Sequence, residues 1–453
     1  MSMSMSITLD PTHDPAARSW LASAQAAGTD FPIQNLPFAV LRRSGSGEVF
    51  RGGVAIGDQA IDLAALAASN VLVGLAQQAV QAAAQPALNH FFALGPPAWQ
   101  ALRHALFALL DSRASGAGVE ALKASLLPQA ELEYSVPTRI GDYTDFYTSY
   151  HHAHNIGRLF SAANDVVPAN FHWIPSAYHG RASSVVISGT PVRRPNGQAK
   201  PPGADVPRFG PCAWLDYEVE LGLFVGTGNA LGEPVPLAQA EQHLFGICLL
   251  NDWSARDIQG WEMAPLGPFQ AKNFATSISP WIVTLEALAP YRLAWQRDAK
   301  WPQPLPYLDS AANRAHGALD IRLETWIETA AQRAAGSGAA RIARTSFRHQ
   351  HWTVAQMLAH HTVGGCNLQP GDLLGSGTIS GPTAGEAGAL MELSQAGRQP
   401  VRFASAHGTI EERGFLADGD TLILRGWCEA PGRVHIGFGE CRGLVLPAHA
   451  AGA

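Results

Sequence analysis

Cysteine is scarce in this chain and badly spaced for joint work. The five cysteines, Cys212, Cys248, Cys366, Cys428 and Cys441, are odd in number and form no C-x-x-C pair, which argues against a disulfide framework or a thiolate metal site and for small buried apolar residues. Basic charge is short as well. Lys and Arg number 31 against 37 Asp and Glu, for a net charge of −6, and this gives no sign of the positive surface that neutralises nucleic-acid phosphates. Long apolar runs are missing: the best, residues 101–110, is interrupted by Arg103 and His104, so no membrane span is expected. The opening Met1-Ser2-Met3-Ser4-Met5-Ser6 has neither a basic region nor an apolar core, and no signal peptide is read there. The expectation is a soluble, cytoplasmic protein without nucleic-acid or membrane partners.

With 47% hydrophobic residues over 453 positions, the chain can fill more than one core, and two domains are expected. The first reads as a small β module. Residues 38–41 and 53–63 look like short strands with Gly57-Asp58 as hairpin turn. A helix starting at Pro97 follows, with Trp99, Leu102, Leu106 and Leu109 on one face. The alanine-rich residues 116–128 and a polar bridge over 129–138 lead to a boundary near Pro137, giving domains 1–137 and 138–453. In the second domain, residues 185–188, 218–225, 245–250, 281–283, 319–323 and 421–424 have strand character, and Asp418-Gly419 is a hairpin-turn dipeptide. This half is expected to be antiparallel or mixed β with few helices.

The chemistry centres on carboxylates. Alternation along a strand puts Asp216, Glu218 and Glu220 on one face, and their apolar flanks, Trp214 and residues 223–225, suggest a buried setting where unpaired carboxylates are expensive. An exposed acidic strand face is the bland alternative; a hard divalent cation is the simplest remedy inside a core. Asp252, at the exit of the apolar run 245–250, and Asp145, in the aromatic-rich stretch 141–147, could complete an all-oxygen set suited to Ca²⁺ or Mg²⁺ rather than zinc. Ser254 with Asp257 suggests a capped short helix at 255–262 that puts Arg256 and Gln259 on one face. With Lys272 near a cation, these would stabilise negative charge on a carbonyl oxygen; without one they read as surface residues. One of His151, His152 and His154 could act as general base, with Glu392 a candidate to orient it. His360 and His361 read as structural. Residues 375–381 are glycine-rich but lack the Gly-Lys-Ser/Thr ending of a phosphate loop, and a plain loop is the expected role.

Several longer stretches, residues 140–147, 178–184, 250–259 and 377–382, together with 30–37 near the start and 436–439 near the end, resemble the fumarylacetoacetate hydrolase family over nearly the whole chain. The resemblance implies a mainly β protein, an N-terminal SH3-like β-barrel joined to a larger C-terminal mixed β-roll, assembled as a homodimer. It implies a metal-dependent hydrolase that cleaves the carbon–carbon bond of 4-fumarylacetoacetate, giving fumarate and acetoacetate at the end of tyrosine breakdown. An acylpyruvate hydrolase or β-keto acid decarboxylase of the same superfamily is the alternative. By matching positions, Asp145, Glu218, Glu220 and Asp252 would be metal ligands and His152 the base, held by Glu392. Arg256, Gln259 and Lys272 would stabilise the oxyanion and leaving group, with Tyr147, Tyr178 and Thr378 also against substrate. Ser161 and Met263 depart from the animal enzymes' pattern, which has arginine and tyrosine there.

Overall fold

A computed structural model describes residues 9–163, 166–404, 408 and 410–450; the opening residues 1–6, with their bearing on targeting, lie outside them. Near the N-terminus, Phe38–Arg43, Arg51–Ile56 and Gln59–Asp62 form an antiparallel meander, and Gly57 (φ 56°) with Asp58 makes its two-residue turn. Five helices then intervene, the longest Pro96–Leu110 with proline in its first turn. Leu126–Pro128 and Leu132–Ser135 close a five-stranded antiparallel sheet by pairing with its two edges. The expected polar bridge therefore contains the last strand of this sheet. Its alternating side chains, Leu132 and Tyr134, pack under Trp281 while Glu133 pairs with Arg42 outside, so polarity there marked the outer face of a strand.

The fold is mainly β. An eight-stranded sheet runs in the order Ser176–Gly180, Tyr143–Tyr147, Leu373–Gly375, Val219–Val225, Leu244–Asp252, Thr276–Ile278 and Val185–Ile187, with Val283–Thr284 also on Leu244–Asp252. Two of its pairings are parallel and the others antiparallel. One face packs Leu221, Leu223, Ile247 and Leu249 against Leu323, Ile327, Leu422 and Leu424 of a five-stranded second sheet. The other packs Phe224, Phe245 and Leu250 against Phe38, Phe91, Phe92 and Leu102 of the N-terminal region, with Phe92 stacked on Phe245 at 4.2 Å. Burial on both faces explains why these central strands read as continuous apolar runs.

Two local readings differ. Asp418-Gly419 is not a hairpin turn: Ile410–Arg413 before it pairs with Val401–Ala404, and Thr421–Cys428 after it pairs with Arg322–Glu328 and Ile436–Leu446. Ser254 does not cap the helix Arg256–Glu262, because Ser254–Ala255 is taken up as a short strand against Leu215–Asp216, and Asp257 accepts from the Ala213 amide instead. Four cysteines are buried, Cys366 is exposed, and all five are free. Among the described residues no helix is long and apolar enough to cross a membrane.

Candidate functional site

The strand register of the large sheet brings acidic side chains together. Asp145 lies opposite Gly375 on the neighbouring strand, Gly375 lies opposite Gly222 on the next, and Glu220 and Asp252 follow from the two central strands. Glu218 precedes its strand by one residue and is held by an isolated bridge to Ala389. The four carboxylates of Asp145, Glu218, Glu220 and Asp252 are buried, and each offers an oxygen within 4.8 Å of the others.

Gly375 makes the convergence possible. A methyl group there would stand 2.8 Å from Asp145 Oδ1, 3.0 Å from the Tyr143 hydroxyl and 3.1 Å from Glu220 Oε2, so only a residue without a side chain leaves the space between these oxygens open. Residues 375–381 are thus more than a connecting loop, since the Gly377 amide also donates to Glu220 Oε2 at 3.0 Å.

Charge compensation inside the cluster is uneven. Lys272 Nζ meets Glu218 and lies 2.7 Å from Asp252 Oδ2, while Arg256 Nη1 lies 2.7 Å from Glu218 Oε1. Both cations are buried, so neither is the surface residue it could have been. Burial pushes the Glu218 carboxyl up, but Lys272 and Arg256 outweigh burial and hold it below the usual carboxylate range. Asp145 and Glu220 fare otherwise. Burial, then the neighbouring carboxylates, raises both well above that range, and Asp145 Oδ1 and Glu220 Oε1 have no hydrogen-bond partner. Two buried carboxylates with orphaned oxygens, in a set of four hard oxygen donors, fit a divalent cation such as Ca²⁺ or Mg²⁺ and offer nothing to a thiophilic one.

Beside this cluster stands a histidine with one nitrogen committed. Ser149 caps the helix Tyr150–Phe160 by accepting from the His152 amide, and the His152 side chain is buried. His152 Nδ1 lies 2.7 Å from Glu392 Oε1. Glu392 is in turn fixed by Asn155 Nδ2 at 2.7 Å and Ser380 Oγ at 2.9 Å. An ionised carboxylate accepts only, so Nδ1 carries the proton and Nε2 is left as a lone-pair base. His151 and His154 turn elsewhere, towards His349 and Tyr150.

The remaining candidates cluster less tightly. Arg256 donates from Nε to Asp216 Oδ2 at 2.9 Å and from Nη1 to Gln259 Oε1 at 3.1 Å, while its buried Nη2 has no partner. The Tyr147 ring stands edge-on to His152 at 5.5 Å, and the Tyr178 hydroxyl donates to Asp252 Oδ2 at 3.1 Å. Thr378 is buried in the turn that follows Gly375. Ser161 and Met263 end their helices exposed to solvent. Reasoning from sequence missed Asp216 as the partner of Arg256, and Asn155, Ser380 and Gly375. Asn155 was the findable one, because three residues along a helix from His152 put it on the same face.

Residues 143–445 match the family described as fumarylacetoacetate (FAA) hydrolase C-terminal, and residues 34–137 match fumarylacetoacetase N-terminal. The chain is similar to fumarylacetoacetases from Oryza sativa subsp. japonica (45% identity, covering 93% of this chain and 96% of the relative), Caenorhabditis elegans (47%, 93% and 97%) and Homo sapiens (44%, 93% and 98%).

Proposed function

We infer that this chain, which belongs to the fumarylacetoacetase family, is a metal-dependent hydrolase that cleaves the carbon–carbon bond of 4-fumarylacetoacetate to give fumarate and acetoacetate. The observation that carries this reading is an oriented His152–Glu392 pair beside four convergent carboxylates. The superfamily alternatives, acylpyruvate hydrolysis and β-keto acid decarboxylation, are not favoured, because relatives at 44–47% identity along nearly their whole length are fumarylacetoacetases.

Asp145, Glu218, Glu220 and Asp252 would hold one Ca²⁺ or Mg²⁺, which when bound supplies Lewis-acid polarisation of the substrate's 1,3-dicarbonyl oxygens. His152 Nε2 takes a proton from water as the water oxygen bonds to the carbonyl carbon, and Glu392 stabilises the imidazolium that results. The unpartnered Nη2 of Arg256 donates to the oxyanion, and Gln259, whose Oε1 is spent on Arg256, offers its amide N–H groups to the same charge. Breaking the carbon–carbon bond leaves a carbanion on the acetoacetate side, which Lys272 Nζ can protonate. Tyr147, Tyr178 and Thr378 would line the substrate. The division into domains 1–137 and 138–453, a homodimer, a cytoplasmic location and a place as the last step of tyrosine breakdown belong to the same proposal; the two family matches on either side of residue 137 support the division.

Purified protein should hydrolyse fumarylacetoacetate, lose that activity to a chelator and regain it with Ca²⁺ or Mg²⁺, while turning over acylpyruvates far more slowly. Faster hydrolysis of acylpyruvates would reverse the choice of substrate. Ser161 and Met263 lie outside the metal and base set, so Ser161→Arg or Met263→Tyr should move KM several-fold and leave kcat within about twofold. A large change in kcat at constant KM would remove both positions from carboxylate recognition.

A further inference from the structure

Asp216 lies two residues before Glu218, at the end of the separate short strand Leu215–Asp216, yet no step above uses it. Its carboxylate has no exposed surface and is filled by donors. Oδ2 accepts from Arg256 Nε at 2.9 Å and the Met391 amide at 3.1 Å; Oδ1 accepts from the Tyr217 and Leu390 amides, each at 2.8 Å. Leu390 and Met391 open the one-turn helix Leu390–Leu393, and the third residue of that helix is Glu392. One buried carboxylate therefore touches both the guanidinium that faces the oxyanion and the backbone that carries the partner of the base.

We propose that Asp216 is a positioning residue that holds Arg256 and the Glu392–His152 pair in one register, so that the oxyanion donor and the base are set by a single anchor. This rests on the catalytic reading given above. A guanidinium is planar, so fixing Nε on Asp216 and Nη1 on Glu218 and Gln259 leaves Nη2 one direction to point. A four-residue helix does not sustain itself. Its first two amides gain their fixed acceptor from Asp216, and the peptide just before it is tied to the same region, with the Val219 amide donating to Gly388 O at 2.9 Å. The four donors also explain how this carboxylate is tolerated in the core, since each compensates part of its lost hydration. Asparagine would fit the space but would turn an N–H group against Arg256 or against the helix amides.

The test is a set of cycles on cation-loaded protein. Asp216→Asn should lower kcat by on the order of 10- to 100-fold, the range for misplacing groups that must act together, with KM changed less than the rate. In the Arg256→Ala background, and separately in Glu392→Gln, the same substitution should cost less than in wild type, because half of what it positions is already gone. A merely structural role predicts an equal fold loss in every background, and that outcome, or wild-type kcat in a folded Asp216→Asn protein, overturns the proposal. Asp420→Asn, another buried carboxylate but paired with Arg413, is the control and should lower Tm alone. If Asp216→Asn does not fold, Asp216→Glu, which keeps the charge and displaces it by one methylene, enters the same cycles. A crystal structure of the variant separates this idea from the functional reading: Arg256 and residues 390–393 should both move whatever the substrate proves to be, and an unmoved pair would end the proposal.

Discussion

Replacing His152 by glutamine should leave a folded, cation-loaded protein whose kcat is lower by roughly two to four orders of magnitude, the span usual for loss of a general base. Glutamine keeps hydrogen-bonding capacity towards Glu392 but has no site that can accept a proton near neutral pH. Glu392→Gln should cost less, because its one amide oxygen can still accept from His152 and the base itself stays in place, although the charge facing the imidazolium and one acceptor would be lost. The two changes together should cost less than the product of their separate effects, since both residues serve one proton transfer. Steady-state turnover with metal content measured on the same samples decides the matter. Near-normal kcat in His152→Gln would mean that another group activates the water.

A second large effect is expected at a residue with no side chain. Gly375→Ala puts a methyl group within about 3 Å of Asp145 and Glu220 oxygens, in the space that a shared cation needs. These oxygens belong to flexible side chains and can retreat, so the fold should survive; the convergence should not. Cation affinity should fall roughly 100-fold or more, beyond what loss of an outer-shell contact brings, and turnover should drop to that of chelator-treated wild type. Isothermal titration with Ca²⁺ or Mg²⁺, alongside a far-ultraviolet spectrum to establish folding, measures this. A variant that binds one cation with wild-type affinity would show that the ion does not sit between Asp145 and Glu220.

What sequence alone can reveal of such a site depends on the range of the interactions. Glu218 and Glu220 could be paired by the twofold repeat of a strand, and Asp252 could be put at a strand exit because an apolar run precedes it. Those are local rules. The same alternation grouped Asp216 with them, but the strand breaks between Asp216 and Val219, and Asp216 goes to Arg256 instead. Ser254 suggested a helix cap by its spacing; pairing with Leu215–Asp216 took its backbone first. Gly375 could not be recognised as the gap between two buried carboxylates, because its place opposite Asp145 and Gly222 is a matter of register between segments far apart in the chain. The burial of Lys272 was illegible for the same reason. The small β module at the start, its Gly57-Asp58 turn and the helix read from Pro97, which begins one residue earlier at Pro96, were legible because turn and cap chemistry is encoded within a few residues.

The aromatic contact between the N-terminal region and the eight-stranded sheet bears on where damaging substitutions will be found. Phe224 and Phe245 belong to the strands that present Glu220 and Asp252, and their rings lie under Phe38, Phe91 and Phe92. A cavity opened on that side, for instance at Phe91, would leave every catalytic group intact and still drain the cell of working enzyme, because a loss of a few kcal/mol is enough to change how much of a protein stays folded. Damaging substitutions in a protein built this way need not crowd around its chemistry. They can fall in the first hundred residues and act through abundance alone, which makes them the class that a small molecule stabilising the fold could reach.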